Sequence, residues 1–211
     1  MSSIISTFIP EIIIGKNYND YMENIFPTLP VIADNKLSMI DQSIIHADEG
    51  GYWLEFGVHS GETITHTAGR KLGVPNLTIH GFDSFEGLPE DWLQPETGHT
   101  NLKGHFDLEG KIPQNLLCVH NINIIKGWFD KSLPKFIKEN DINKISFLNI
   151  DSDLYSSANT VLTLLTPYFK GHCVVYFDEF CNYPGGENGE YKAFSEFLHN
   201  NKDNIEKCIP I

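Results

Sequence analysis

Basic residues are scarce in this chain of 211 residues: 15 Lys and Arg stand against 28 Asp and Glu, a formal charge of −13 with His neutral. No stripe gathers those few cations, so phosphate backbones and anionic bilayers are repelled, and neither nucleic acid nor a membrane is expected as a partner. Cysteine is nearly as rare. Cys118, Cys173, Cys181 and Cys208 form no CxxC pair and no zinc-type spacing with histidine, which argues against a metal ribbon or a redox motif and leaves reduced thiols in a cytoplasmic setting as the expectation. No run approaches the roughly 20 apolar residues of a spanning helix, and no basic start leads into an apolar leader. Repeats and low-complexity tracts are absent. What is present is a globular composition, 41% hydrophobic and 20% charged, on a length that suits one substantial domain.

Residues 1–33 are irregular, with Pro10, Gly15, Pro27 and Pro30, and read as an arm or lid ahead of a domain over 34–211. Asp34 can cap a helix whose Leu37, Ile40, Ile44 and Ile45 share one face. Short β-type runs then alternate with helical ones. Strands are expected at Tyr52–Phe56, Leu77–Phe82, Asn121–Ile125, Lys144–Ile150 and His172–Phe177, and helices near Gly61–Leu72, Ser132–Asn140, Tyr155–Tyr168 and Glu187–Asn200. This alternation indicates an α/β fold, a doubly wound and mainly parallel sheet covered on both faces, with ligands bound beyond the carboxyl ends of its strands.

Each of those ends carries a polar, glycine-bearing or aromatic turn. After the first strand, Gly57 can adopt a φ closed to other residues and Gly61 removes a side chain where a backbone or ligand comes close. The turn has neither the GxGxxG of dinucleotide folds nor a P-loop lysine, which favours a nucleoside-type cofactor with a neutral or cationic end. Glu55 suits an ammonium or sulfonium group. Asp83, 28 positions beyond Glu55 and followed by Ser84, stands where doubly wound folds place an acid for ribose hydroxyls; a turn cap is its bland alternative. Trp128 and Phe129 offer flat surfaces for an adenine ring, or plain core.

Asp151 and Asp178 end adjacent candidate strands, roughly 4.8 Å apart in a sheet, so their carboxylates can converge with Glu179 on a hard cation, Mg²⁺ before Ca²⁺ or Mn²⁺. Asp153 can join them or cap the next helix. Among nine histidines, His59, His99 and His105 fall in or near the candidate loops, and His59 and His105 are carried forward as candidate bases beside Asp151. The arm and the loop from Glu90 to Gly110 are expected to close over the acceptor, with Trp92 as a stacking surface.

Taken in order, Glu55-Phe56-Gly57-Val58 to Gly61, Gly81-Phe82-Asp83-Ser84-Phe85-Glu86-Gly87-Leu88-Pro89, Lys126-Gly127-Trp128-Phe129 with Ser132-Leu133-Pro134, Ile150-Asp151-Ser152-Asp153-Leu154-Tyr155-Ser156-Ser157 and Phe177-Asp178-Glu179-Phe180 resemble the macrocin O-methyltransferase-like family. The resemblance covers about residues 50 to 200. It implies a class I, Rossmann-like methyltransferase fold that binds S-adenosylmethionine, with Gly57 and Gly61 around the cofactor and Asp83 on its ribose. It also implies a divalent metal, usually Mg²⁺, on Asp151, Asp178 and Glu179, and a sugar hydroxyl of a glycosylated small molecule as acceptor. Two departures stand out: His59 replaces a glycine found in many class I enzymes, and a sixth strand at Ile205–Ile211 lacks the second strand of the usual C-terminal hairpin. A shortened chain, or another segment or subunit in a homo-oligomer, is expected at that edge. Rival readings are a non-catalytic S-adenosylmethionine-binding scaffold and a nucleotide-dependent oxidoreductase on a related sheet, the latter disfavoured by the missing GxGxxG.

Overall fold

The computed structural model describes residues 3–7, 35–94, 99–181, 183 and 185–210. Nine strands lie at β1 (Ser3–Thr7), β2 (Tyr52–Phe56), β3 (Ile79–Asp83), β4 (Trp92–Gln94), β5 (His99–Asn101), β6 (Ile122–Lys126), β7 (Ile145–Ile150), β8 (His172–Phe177) and β9 (Ile205–Pro210). Five α-helices accompany them: α1 (Lys36–Ile44), α2 (Glu62–Arg70), α3 (Phe129–Glu139), α4 (Tyr155–Leu165) and α5 (Glu190–Asn200). Seven strands form one sheet in the order β6-β3-β2-β7-β8-β1-β9, every pair parallel.

Alternation along the strands builds a core on each face. From β2, Leu54 and Phe56 point to one side and Trp53 to the other; from β8, Cys173, Val175 and Phe177 oppose Val174 and Tyr176. The first side packs against α3, α4 and α5 through Leu133, Phe136, Val161, Leu162 and Phe194, and the second against α1 and α2 through Ile40, Ile44, Ile64 and Ala68. Central strands buried on both faces explain the nearly continuous apolar runs read as strands.

The structure corrects several local expectations. The cap of α1 is Asn35, whose side chain accepts from the Ser38 N–H at 3.0 Å; Asp34, like residues 8–34 of the expected arm or lid, lies outside the described residues. Ile45 is exposed rather than on the apolar face of α1, because it ends the helix. β4 and β5 form a small antiparallel hairpin inside the Glu90–Gly110 loop, of which residues 95–98 are outside the described set. The segment Ser3–Thr7 stands between β8 and β9: β1 pairs parallel with β8 on one side and β9 on the other. No described helix is long and apolar enough to cross a membrane.

Candidate active site

Strand order reverses between β2 and β7, because the chain runs outward from β2 to β3 and β6 and later from β7 to β8. Doubly wound sheets bind ligands at that point. A cavity of about 600 Å³ opens there, at the carboxyl ends of β2, β3, β6, β7 and β8.

The tips of β2 and β7 meet closely. Gly57 has φ +95°, and a Cβ on it would stand 1.7 Å from the carbonyl oxygen of Asp151, so only glycine lets the two turns touch. Gly61, also at positive φ, begins the approach to α2, but its bare Cα faces Leu116: a Cβ would lie 2.2 Å from that leucine's Cδ2. Gly61 therefore serves packing, and it does not line the cavity.

Asp83 ends β3 and organises the neighbouring turns. Its Oδ2 accepts the His59 N–H at 2.7 Å and its Oδ1 accepts the Phe85 N–H at 2.7 Å. Both donors sit in left-handed backbone, φ +46° at His59 and +59° at Phe85, a conformation that such residues keep only when the surroundings enforce it. Ser84 holds the next turn by accepting the Glu86 N–H at 3.0 Å. Asp83, Ser84 and His59 face the cavity, as do Trp128 and Phe129 at the start of α3. Phe129 stands edge-on to Phe56 at 5.2 Å and anchors this wall in the core.

Across the cavity the wall is acidic. Asp151 follows β7, Asp178 and Glu179 follow β8, and one carboxylate oxygen from each lies within 4.8 Å of the others. Asp153 and the fully buried Glu190, first residue of α5, complete the cluster; Glu190 Oε1 accepts the Ser152 N–H at 3.0 Å. Burial, and then the charge of Asp178, raise the Asp151 carboxyl to about 6. Glu179 is raised by burial and by Glu190, and Glu190 itself is raised by burial. The buried Oε2 atoms of both glutamates find no hydrogen-bond partner among the described residues. Clustered carboxylate oxygens, some without a donor, are a donor set for a hard divalent cation, so the residues present fit one. Among the described residues a single cation enters the cluster: Lys36 Nζ lies 2.5 Å from Asp151 Oδ2 and 2.8 Å from Asp178 Oδ2.

Nine of the twelve residues nominated from sequence therefore converge on one cavity: His59, Gly57, Asp83, Ser84, Trp128, Phe129, Asp151, Asp178 and Glu179. Glu55, Gly61 and His105 do not. Glu55 is 1% exposed beneath the floor, where it accepts from Thr63 Oγ1 at 2.9 Å and Asn149 Nδ2 at 3.0 Å. Burial pushes its carboxyl up to about 8, and its side chain does not line the cavity. His105 is exposed and packs edge-on against Phe106 at 4.2 Å, outside the lining. Trp92 stacks edge-on with Tyr183 at 5.9 Å and likewise does not line the cavity.

Sequence reasoning missed Lys36, Glu190 and Asn149. One signal pointed to Lys36: a cation in the first turn of a helix opposes the macrodipole, which suggests that its charge is used elsewhere. Glu190 gave none, since an acid at that position is ordinary.

A family model described as macrocin O-methyltransferase (TylF) matches residues 34–207. The solved calicheamicin methyltransferase CalS11 shares the fold with TM-score 0.60 at 23% identity, over 87% of this chain and 78% of that one. The O-methyltransferase NovP gives 0.56 at 22% identity over 79% and 72%. The apo structure of CalS11, described as a TDP-rhamnose 3'-O-methyltransferase of calicheamicin biosynthesis, gives 0.53 at 21% over 86% and 77%. No curated protein matches the sequence. The fold agrees with all three solved structures, and the family match spans most of the chain and the whole cavity, so this protein belongs to the macrocin O-methyltransferase family and is an O-methyltransferase.

Proposed function

We propose that the chain transfers the methyl group of S-adenosylmethionine to a hydroxyl of a sugar or glycoside, in a cavity whose acidic side carries a divalent cation, Mg²⁺ first. The observation that carries this reading is the union, in one 600 Å³ cavity, of a nucleoside-type wall and a carboxylate cluster. Family membership supports the cofactor, and the sugar acceptor named for CalS11 supports the acceptor class.

Gly57, Asp83, Ser84, Trp128 and Phe129 would hold the cofactor, which when bound supplies an electrophilic methyl on sulfur. Asp83 keeps free lone pairs for ribose hydroxyls because each oxygen spends one on a backbone N–H. Trp128 and Phe129 offer apolar surface for the base and exclude water from it. Asp151, Asp178 and Glu179 would hold the cation, which supplies Lewis-acid chemistry that lowers the pKa of an acceptor hydroxyl. Asp151 and His59, on facing walls of the cavity, are the groups that can take the acceptor's proton. Fixing acceptor and donor in one cavity replaces a bimolecular encounter and contributes a large share of the rate.

The test is calorimetric titration with S-adenosylmethionine and S-adenosylhomocysteine, with and without Mg²⁺, followed by mass spectrometry of nucleotide sugars and glycosides for one added methyl. One-site cofactor binding and methylation that chelators abolish are expected. Methylation that persists after exhaustive chelation would sink the metal part of the reading, and absence of cofactor binding by the folded chain would sink the whole.

A further inference from the structure

Lys36 comes from α1, far in sequence from the strands that carry the cluster, yet its ammonium reaches between Asp151 and Asp178. These are two of the three carboxylates whose oxygens converge. Among the described residues one positive charge faces five acids, Asp151, Asp153, Asp178, Glu179 and Glu190, and leaves two buried glutamate oxygens without donors. An ammonium satisfies at most three acceptors through hydrogen bonds, whereas a divalent cation brings twice the charge and accepts six or more oxygens.

The tether can let go. The Lys36 side chain is 34% exposed, sits at the dipole-opposed end of its helix, and lines the open cavity. The body of α1 does not depend on it, since Ile40 and Ile44 anchor the helix in the core on that face.

Resting on the reading of Asp151, Asp178 and Glu179 as a divalent-cation site, we propose that Lys36 is a built-in competitor for that site. It neutralises the Asp151–Asp178 pair in the metal-free protein, and the incoming cation must displace it. The device keeps two facing carboxylates from repelling one another when the site is metal-free. It also sets a threshold, because the apparent metal affinity is lowered in proportion to the time the bridge is closed. A bridge closed about nine-tenths of the time weakens the metal about tenfold.

The experiment is calorimetric titration of Mg²⁺, repeated with Mn²⁺ by electron paramagnetic resonance, on the full native chain and its Lys36→Met, Lys36→Gln, Asp178→Asn and Lys126→Met variants. Lys36→Met and Lys36→Gln are expected to bind about tenfold more tightly than the native chain. Lys126→Met, which removes a cation held by the Gly110 carbonyl, should shift the affinity by less than about twofold, and Asp178→Asn should weaken it. Thermal unfolding supplies a readout independent of affinity: without metal the Lys36 variants melt below the native chain, and saturating Mg²⁺ closes the gap. Metal binding by Lys36→Met that equals or falls below native binding overturns the competition and leaves the metal site standing. Absence of binding in native and Lys36 variants alike overturns both.

Discussion

The two sides of the cavity are built on opposite principles. On the side of β2, β3 and β6, the acid Asp83 is satisfied by two backbone N–H groups, and the wall around it combines glycine, serine and aromatic rings with the helix-start acids Glu62 and Asp130. On the side of β7 and β8, several carboxyls share one lysine and burial raises them. A satisfied acid is pre-organised and waits for a neutral partner, whereas an unsatisfied cluster is incomplete until a cation arrives. On the proposed function, the difference makes donor binding and acceptor activation separable, with the two sides meeting at the close approach of Gly57 to Asp151.

The largest effect should come from the acidic side. Asp151→Ala is expected to lower kcat/KM at least about 10³-fold, roughly 4 kcal/mol of barrier, while the Kd for S-adenosylmethionine moves less than about threefold. Cofactor affinity that falls in step with turnover would break the proposed separation. Next is the seam. Gly57→Ala forces a Cβ into the Asp151 carbonyl at a φ of +95°, and denaturant unfolding should show a loss of about 3 kcal/mol or more, with both sides damaged together.

Asp83→Ala addresses the other side. It frees the backbone donors of His59 and Phe85 and removes the ribose acceptor, so cofactor affinity should fall about 10- to 100-fold, or about 1.4 to 2.7 kcal/mol, with Mg²⁺ affinity unchanged. Equal losses in both titrations would mean that the sides are coupled.

The smallest effect concerns the floor. Glu55 is raised to about 8 from an ordinary 4.5, so the folded chain holds a proton that the unfolded chain has lost. Its contribution is fully present below pH 4.5 and is lost as pH rises through about 8. Stability should therefore decline as pH rises across that window. Glu55→Gln keeps the shape and removes the proton, and should flatten this part of the pH dependence in thermal melts. An identical profile for native and variant chains would mean that Glu55 ionises freely.

Much of this plan could be read from the sequence because it resides in strand-end turns. Apolar runs locate β2, β7 and β8, and whatever follows a parallel strand must stand at the ligand-binding edge, which is how Asp83, Asp151 and Asp178 were placed. Orientation was harder. Glu55 and Gly57 are two residues apart, yet one faces α2 and the other the cavity, and only the packing of Thr63 and Asn149 decides that. Gly61 had two readings, and Leu116, some 55 positions later, selected between them. Lys36 and β1 depend on contacts across more than 100 residues, which no local pattern encodes.

The placement of β1 has a consequence for the order of assembly. Ser3–Thr7 pairs with Ile205–Pro210, about 200 positions later in the chain. Its β9 side stays unpaired until Ile205–Pro210 has been made, so a nascent chain carries an unpaired strand segment while the intervening residues are synthesised. Long-range parallel pairing is slow to form, and this edge of the sheet should be the last to close during folding and the first to open in native-state hydrogen exchange.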